Sequence, residues 1–212
     1  MESLKQANEN LERSEEERER MIKEAAEHYG KFMDIVIPGW RERSHSQNTP
    51  LRVSKSFIND LCKSLHSKPP KITDFSNDEG YDGIIVQCNI PVKSLCEHHH
   101  LPIAGFAHVS YLPADKDTRI IGLSKLNRIV SYWSQRPQTQ EHLTMQIHRH
   151  IDKLIIGNRG VAVAIQAAHF CTCHRAIYHD SEMHTAKMSG VFFSNEIGTR
   201  DEFYRMISLS KK

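Results

Sequence analysis

The sequence lacks the features that would tie it to a membrane, an export route or a polyanion. Its start, Met1-Glu2-Ser3-Leu4-Lys5-Gln6, has no apolar signal core, and no later run reaches membrane-spanning length. Lys and Arg number 28 against 26 Asp and Glu, a formal net charge of +2. So small an excess does not point to nucleic acid or a membrane surface as the main partner. Cysteines are few and odd in number: five, with no framework spacing, which fits a reducing compartment better than a disulfide scaffold. A soluble cytoplasmic protein is expected, and 212 residues suit one domain with an appendage. What the chain has in plenty is histidine, 14 in all. His28, His45 and His66 stand apart, but several others crowd around two cysteine clusters.

The first cluster is Cys96-Glu97-His98-His99-His100. A thiol and an imidazole three residues apart, Cys96 and His99, can close on one metal ion from a single turn. Zinc suits that pair, because thiolate and imidazole are its ligands and it takes four in a tetrahedron. Taken alone, Cys-x-x-His also reads as an exposed polar turn beside a small buried cysteine. A second cluster, His169-Phe170-Cys171-Thr172-Cys173-His174-Arg175, weighs against that reading by offering a further ligand. Three protein ligands would leave a fourth position for water, the pattern of a catalytic zinc. A closed site completed by Cys173 or His174 would instead be structural.

Residues 1 to about 35 read as a solvated helix. Leu4, Ala7, Leu11, Met21, Ala25 and Phe32 fall on alternating four- and three-residue steps, interrupted by Ser14, Arg18 and His28. Glu9 with Arg13 and Glu16 with Arg20 form i,i+4 pairs, and Pro38-Gly39 ends the element. A second helix starts at Thr49-Pro50, with Thr49 as its cap and Pro50 in its first turn. Strand patterns follow over Gly83–Ile90 and Ile103–Tyr111. Two amphipathic helices come next, one from near Ser124 and one after Pro137. A strand is expected over Val161–Cys171, placing His169 and Cys171 on one face, and Cys173 with them if it continues. Gly190–Phe193 reads as the last strand, and Thr199-Arg200-Asp201-Glu202 as a capping box opening a terminal helix. This order predicts an α+β fold, β-β-α-α-β-β, with two helices on one face of an antiparallel sheet. The domains expected are an N-terminal helical arm, 1–47, and a catalytic domain, 48–212.

Five stretches in order resemble the GTP cyclohydrolase I family: Thr49-Pro50-Leu51-Arg52-Val53-Ser54-Lys55, Ser94-Leu95-Cys96-Glu97-His98-His99, Ile121-Gly122-Leu123-Ser124-Lys125-Leu126-Asn127-Arg128-Ile129-Val130, Gln135-Arg136-Pro137-Gln138-Thr139-Gln140-Glu141 and His169-x-Cys171-x-x-x-Arg175. The resemblance covers roughly residues 48 to 208. It implies the tunnelling fold, in which subunits join their sheets into a barrel, commonly a decamer with sites at subunit junctions. It implies hydrolytic opening of the guanine imidazole ring of GTP, loss of formate and closure to 7,8-dihydroneopterin triphosphate. That product feeds tetrahydrofolate and one-carbon metabolism, reduced pterin cofactors or 7-deazaguanine routes. Carried over by position, Cys96, His99 and Cys171 match the zinc ligands, and His98 and His169 the acid–base histidines. Glu141, with Gln140 beside it, matches the guanine-recognising carboxylate, and Ser124 a ribose-side hydroxyl. Arg52, Lys55, Lys125, Arg128 and Arg175 match the triphosphate binders.

Each role suits its side chain: imidazole titrates where proton transfer is needed, and a triphosphate needs several cations. Glu97 reads as a hydrogen-bond acceptor behind the metal. The chain departs from the family pattern at Ala176, where glycine is usual, at Met183, where threonine is usual, and in a loop one residue shorter over Ile177–Ser189. Besides the enzyme, a non-catalytic nucleotide-binding homologue and a structural zinc module are competing readings.

Overall fold

Apolar residues at helical spacing in the first third, and at strand spacing beyond it, separate into two units in the computed structural model. One ends at Lys68 and the other begins at Pro69. Residues 12–114, 119–195 and 198–210 are described; Leu4, Ala7, Glu9 and Leu11 lie outside them. No helix among the described residues is long and apolar enough to cross a membrane.

In the first unit, helix α1 spans Glu15–Val36. Ser14, which breaks the apolar seam, is there as a cap. Its hydroxyl accepts from the Glu17 amide at 3.2 Å, and its own amide donates to the Glu17 carboxylate at 2.7 Å. Charged pairs join Arg13 to Glu17 and Glu27 to Lys31; the expected pairing of Glu16 with Arg20 is absent among the described ion pairs. Helix α2 spans Thr49–Ser56, with Asn48 rather than Thr49 in the cap position and Pro50 in the first turn, where its missing N–H costs nothing. It runs into a π-helical turn over Phe57–Leu61.

The second unit is α+β. In chain order its elements are β1 (Asp74–Ser76), β2 (Ile85–Cys96), β3 (Pro102–Leu112), β4 (Arg119–Ile121), α3 (Leu123–Ser134), β5 (Pro137–Gln138), α4 (Gln140–Leu154), β6 (Gly160–His169), α5 (Phe170–Cys173), β7 (Glu182–Met188), α6 (Gly190–Ser194) and α7 (Thr199–Leu209). The main sheet has the order β5-β2-β3-β6-β7. Its four longer strands are antiparallel, and the two-residue β5 adds in parallel to the end of β2. Helices α3 and α4 cover one face, where Leu126, Ile129, Leu143, Ile147 and Ile151 bury against Val92, Ala107, Val109, Val163 and Ile165. Part of the other face is covered by α6 and α7 through Val191, Phe192 and Phe203.

Three expectations are corrected at the end of the chain. Strand β6 stops at His169 instead of running through Cys171. The Thr172 hydroxyl donates to the His169 carbonyl at 2.9 Å and the His174 amide to the Phe170 carbonyl at 3.1 Å, so the chain coils into α5. Gly190–Phe193 is helical and the last strand is β7; Val191 and Phe192 are both buried while Phe193 is exposed, a helical pattern rather than an alternating one. Helix α7 begins at Thr199 with Gly198 as its cap residue, left-handed at φ +73°, so no capping box opens it.

Candidate active site

The site begins with a fault in a strand. On β2, Ile85 and Gln87 face Tyr111 and Val109 on β3, and then the register slips, so that Ile90 faces Ala107. Cys88 and Asn89 bulge out opposite His108, with Asn89 held left-handed at φ +55°. An extra residue reverses which side chains point inward. Odd-numbered residues face the helices before the bulge and even-numbered ones after it, which carries Ile90, Val92 and finally Cys96 into the core beneath α3 and α4.

Beyond Cys96 the chain turns tightly to β3. The His100 amide donates to the Cys96 carbonyl and the Cys96 amide to the Leu101 carbonyl, both at 2.8 Å, and His100 is left-handed at φ +53°. The turn leaves His98 and His99 exposed, with their Nδ1 atoms 4.0 and 3.9 Å from the Cys96 Sγ. From the far side β3 pairs with β6, Ile103 opposite His169, so the end of β6 lies beside this turn. In α5 the ligand atom of Cys171 joins those of Cys96 and His99, all within 4.8 Å of one another. Cys173 is outside the group: two residues along a helical turn rotate a side chain by roughly 200°, so the shared strand face expected for Cys171 and Cys173 does not exist.

The three residues fit a zinc ion. With bonds of about 2.0 to 2.3 Å, neighbouring ligand atoms of a tetrahedral zinc lie ~3.5–3.8 Å apart. The 3.9 Å between Cys96 and His99 is close to that spacing. Among the described residues the group offers three ligands, so a tetrahedral ion held there would have one further position to fill. Burial pushes the Cys171 thiol up from its ordinary pKa, with the neighbouring Cys96 thiol acting in the same sense, while Arg175 opposes them. A metal cation would reverse this by favouring both thiolates.

Around the cluster, helix starts supply polar groups. Thr139 caps α4 by accepting from the His142 amide at 3.2 Å. Glu141 stands exposed in the first turn, where the helix dipole favours a carboxylate. It faces His169 closely enough to oppose the fall in that imidazole's pKa, which burial drives. Glu97 acts in the same way on His142, also lowered chiefly by burial. Ser124, Lys125 and Arg128 lie on the first turns of α3, with Ser124 and Arg128 exposed, and Arg175 is exposed after α5. Arg52 and Lys55 are exposed on α2 of the first unit. Among the described residues none of these five cations takes part in an ion pair with a carboxylate.

Gln140 differs from its neighbours. It is fully buried, and its amide is bonded inside the protein at both ends, including 2.8 Å from its Oε1 to the His169 Nε2. Sequence reasoning missed two supporting groups. Thr185 meets Gln140 from β7, a strand whose polar run Glu182-Met183-His184 does not announce itself. Arg136 is wholly buried and stacks over Trp133 at 4.5 Å, and its carbonyl accepts from the Ser94 hydroxyl at 3.1 Å. A cation flanked by Trp133 and Pro137 was the one available signal for it.

Comparison with known proteins gives the chain a family. A model of the GTP cyclohydrolase I family matches residues 14–208. The chain is 42% identical over 165 residues to a GTP cyclohydrolase 1 of Flavobacterium johnsoniae, covering 77% of this chain and 71% of that one. It is 38% identical over 183 residues to a GTP cyclohydrolase 1 of Pectobacterium carotovorum, covering 86% and 81%. Among solved structures, an archaeosine synthase QueF-Like in the apo form aligns over 52% of this chain and 96% of that one, at a TM-score of 0.43 and 13% identity. That likeness is too loose to carry any argument about the fold.

Proposed function

The chain belongs to the GTP cyclohydrolase I family, and from that premise we propose that it opens the imidazole ring of GTP at C8. Formate leaves, the ribose rearranges and the pterin ring closes to give 7,8-dihydroneopterin triphosphate. The observation that carries this reading is the convergence of Cys96, His99 and Cys171 on one point, with His169 two residues away. A zinc ion held there supplies, when bound, a water activated for attack near neutral pH.

The chain's own residues do the rest. His169, whose pKa burial lowers, and His98, exposed beside Cys96, are the two acid–base groups. The Glu141 carboxylate accepts from the N1–H and N2 amine of guanine. Ser124 contacts the ribose, while Lys125, Arg128, Arg175, Arg52 and Lys55 gather the triphosphate.

The working form is a homo-oligomer, in the family's manner a tunnelling-fold decamer with sites at subunit junctions. Open sheet edges support this: among the described residues β7 is paired on one side only, and the outer side of β2 is paired only at Leu95 and Cys96. A three-ligand group favours the enzyme over a closed structural zinc module. Incubating the zinc-loaded protein with GTP should yield formate and a pterin absorbance in equal amounts. Absence of both from protein with a full zinc complement would overturn the proposal.

A further inference from the structure

Gln140 lies in the motif that ends with Glu141, and its place there makes it look like a second contact to the substrate. Its surroundings assign it elsewhere. Gln140 is 0% exposed. Its Nε2 donates to the Met183 carbonyl at 2.9 Å, the Thr185 hydroxyl at 3.1 Å and the Ile165 carbonyl at 3.2 Å. Two of those three partners are backbone oxygens that can only accept, so the reversed amide would set Oε1 against two carbonyls. The threonines independently require the same orientation. Thr144 donates its one hydroxyl proton to the Gln140 carbonyl at 2.8 Å. At the 2.7 Å contact between Thr144 and Thr185 the proton must therefore come from Thr185. Thr185 has then spent its proton and can only accept from Gln140.

The amide end is fixed, so the Oε1 end is fixed as well. It faces the His169 Nε2 at 2.8 Å and can only accept, which requires His169 to carry its proton on Nε2. In the neutral ring the unprotonated nitrogen is then Nδ1. We propose that Gln140 is a positioning residue: braced by Thr144, Thr185 and two backbone carbonyls, it holds His169 as the Nε2–H tautomer with Nδ1 as the nitrogen that exchanges a proton with substrate.

This inference rests on the reading of His169 as an acid–base group, and a double-mutant cycle tests the two separately. Kinetics of the zinc-loaded oligomer are compared for wild type, Gln140→Leu, His169→Ala and the double variant. Gln140→Leu should lower kcat by roughly 10–100-fold, the usual effect of losing an imidazole's orienting partner, with little change in KM. In the His169→Ala background the same change should cost less than about twofold, because the group it acts through is gone. Equal losses in both backgrounds would overturn the proposal, as would a raised KM with kcat retained, which marks a direct substrate contact. Full activity of His169→Ala would instead overturn the underlying reading of His169.

Should Gln140→Leu not fold, Thr185→Val removes one brace and leaves both carbonyl anchors. A smaller kcat loss that vanishes without His169 supports the proposal, and one that persists contradicts it. Nitrogen-15 spectra of histidine-labelled protein, assigned by difference from His169→Ala, read the tautomer directly. A protonated Nε2 is predicted; protonation at Nδ1 would overturn the assignment.

Discussion

Glu141 stands in the first turn of α4, exposed and beside His169. A carboxylate is an acceptor only. Guanine offers it two adjacent donors, whereas adenine offers an acceptor at N1 and no amine at C2. A site built around such donors can reject the analogue lacking them by roughly 10⁴–10⁵-fold. Glu141→Ala should therefore reduce GTP turnover by about 10²-fold or more, since hydrogen bonds to a charged group contribute about 1.5–3 kcal/mol each. Zinc content and fold should stay intact, and wild-type turnover of ATP should be negligible. Unchanged GTP kinetics in the variant would show Glu141 to be a solvated helix-start carboxylate and nothing more. Legibility at this scale follows locality. Cys96 and His99 could be paired from sequence because one turn holds both. Gln140 could not be read, because its partners are backbone carbonyls of Ile165 and Met183 and a hydroxyl on another strand, none of which leaves a mark near position 140.

The elements carry these residues to one place, and β3 is the one on which the others depend. It pairs with β2, which delivers Cys96, and with β6, which delivers His169. Gly105 lies at the middle of that contact. A Cβ there would sit 2.0 Å from the Gln166 carbonyl oxygen and 2.5 Å from the Ala167 Cα, closer than backbone can approach. Gly105→Ala should thus force the β3–β6 ladder apart, at a cost of ~1–3 kcal/mol or more. Thermal unfolding and zinc retention should fall together; a variant with unchanged melting would mean the ladder adjusts without strain. The long strands and both covering helices were legible from periods of two and 3.6. The bulge was not, because Cys88-Asn89 looks like ordinary alternation, yet without it Cys96 would face away from the helices. Strand β6 was read two residues too far for a related reason. His169 and Cys171 alternate correctly for a strand, and the turn shows itself in the hydrogen bonds from the Thr172 hydroxyl to the His169 carbonyl and from the His174 amide to the Phe170 carbonyl. Cys171 thus reaches the cluster by helical rotation rather than along a strand face.

At the scale of the whole molecule, family membership rests on a match from residue 14 to 208, which begins well before the roughly 48 at which motif resemblance started. The extra length is α1 and its surroundings, whose charged sequence holds no catalytic motif and so could not be recognised by chemistry. Among the described residues the outer sides of β7 and of most of β2 are unpaired, and if the site is completed at subunit junctions, as proposed, activity should be lost when the subunits part. Sedimentation and GTP turnover should therefore decline together on dilution, and a fully active monomer would contradict the assembly. All these proposed roles would depend on a metal ion held by Cys96, His99 and Cys171 with one position left open. Zinc X-ray absorption on the loaded protein tests that centre most directly. The predicted result is one zinc per chain with two sulfurs at about 2.3 Å, one imidazole nitrogen near 2.0 Å and one further light atom, with Cys171→Ala losing a sulfur and Cys173→Ala losing none. A third sulfur in the wild type, or an unchanged spectrum in Cys171→Ala, would contradict it.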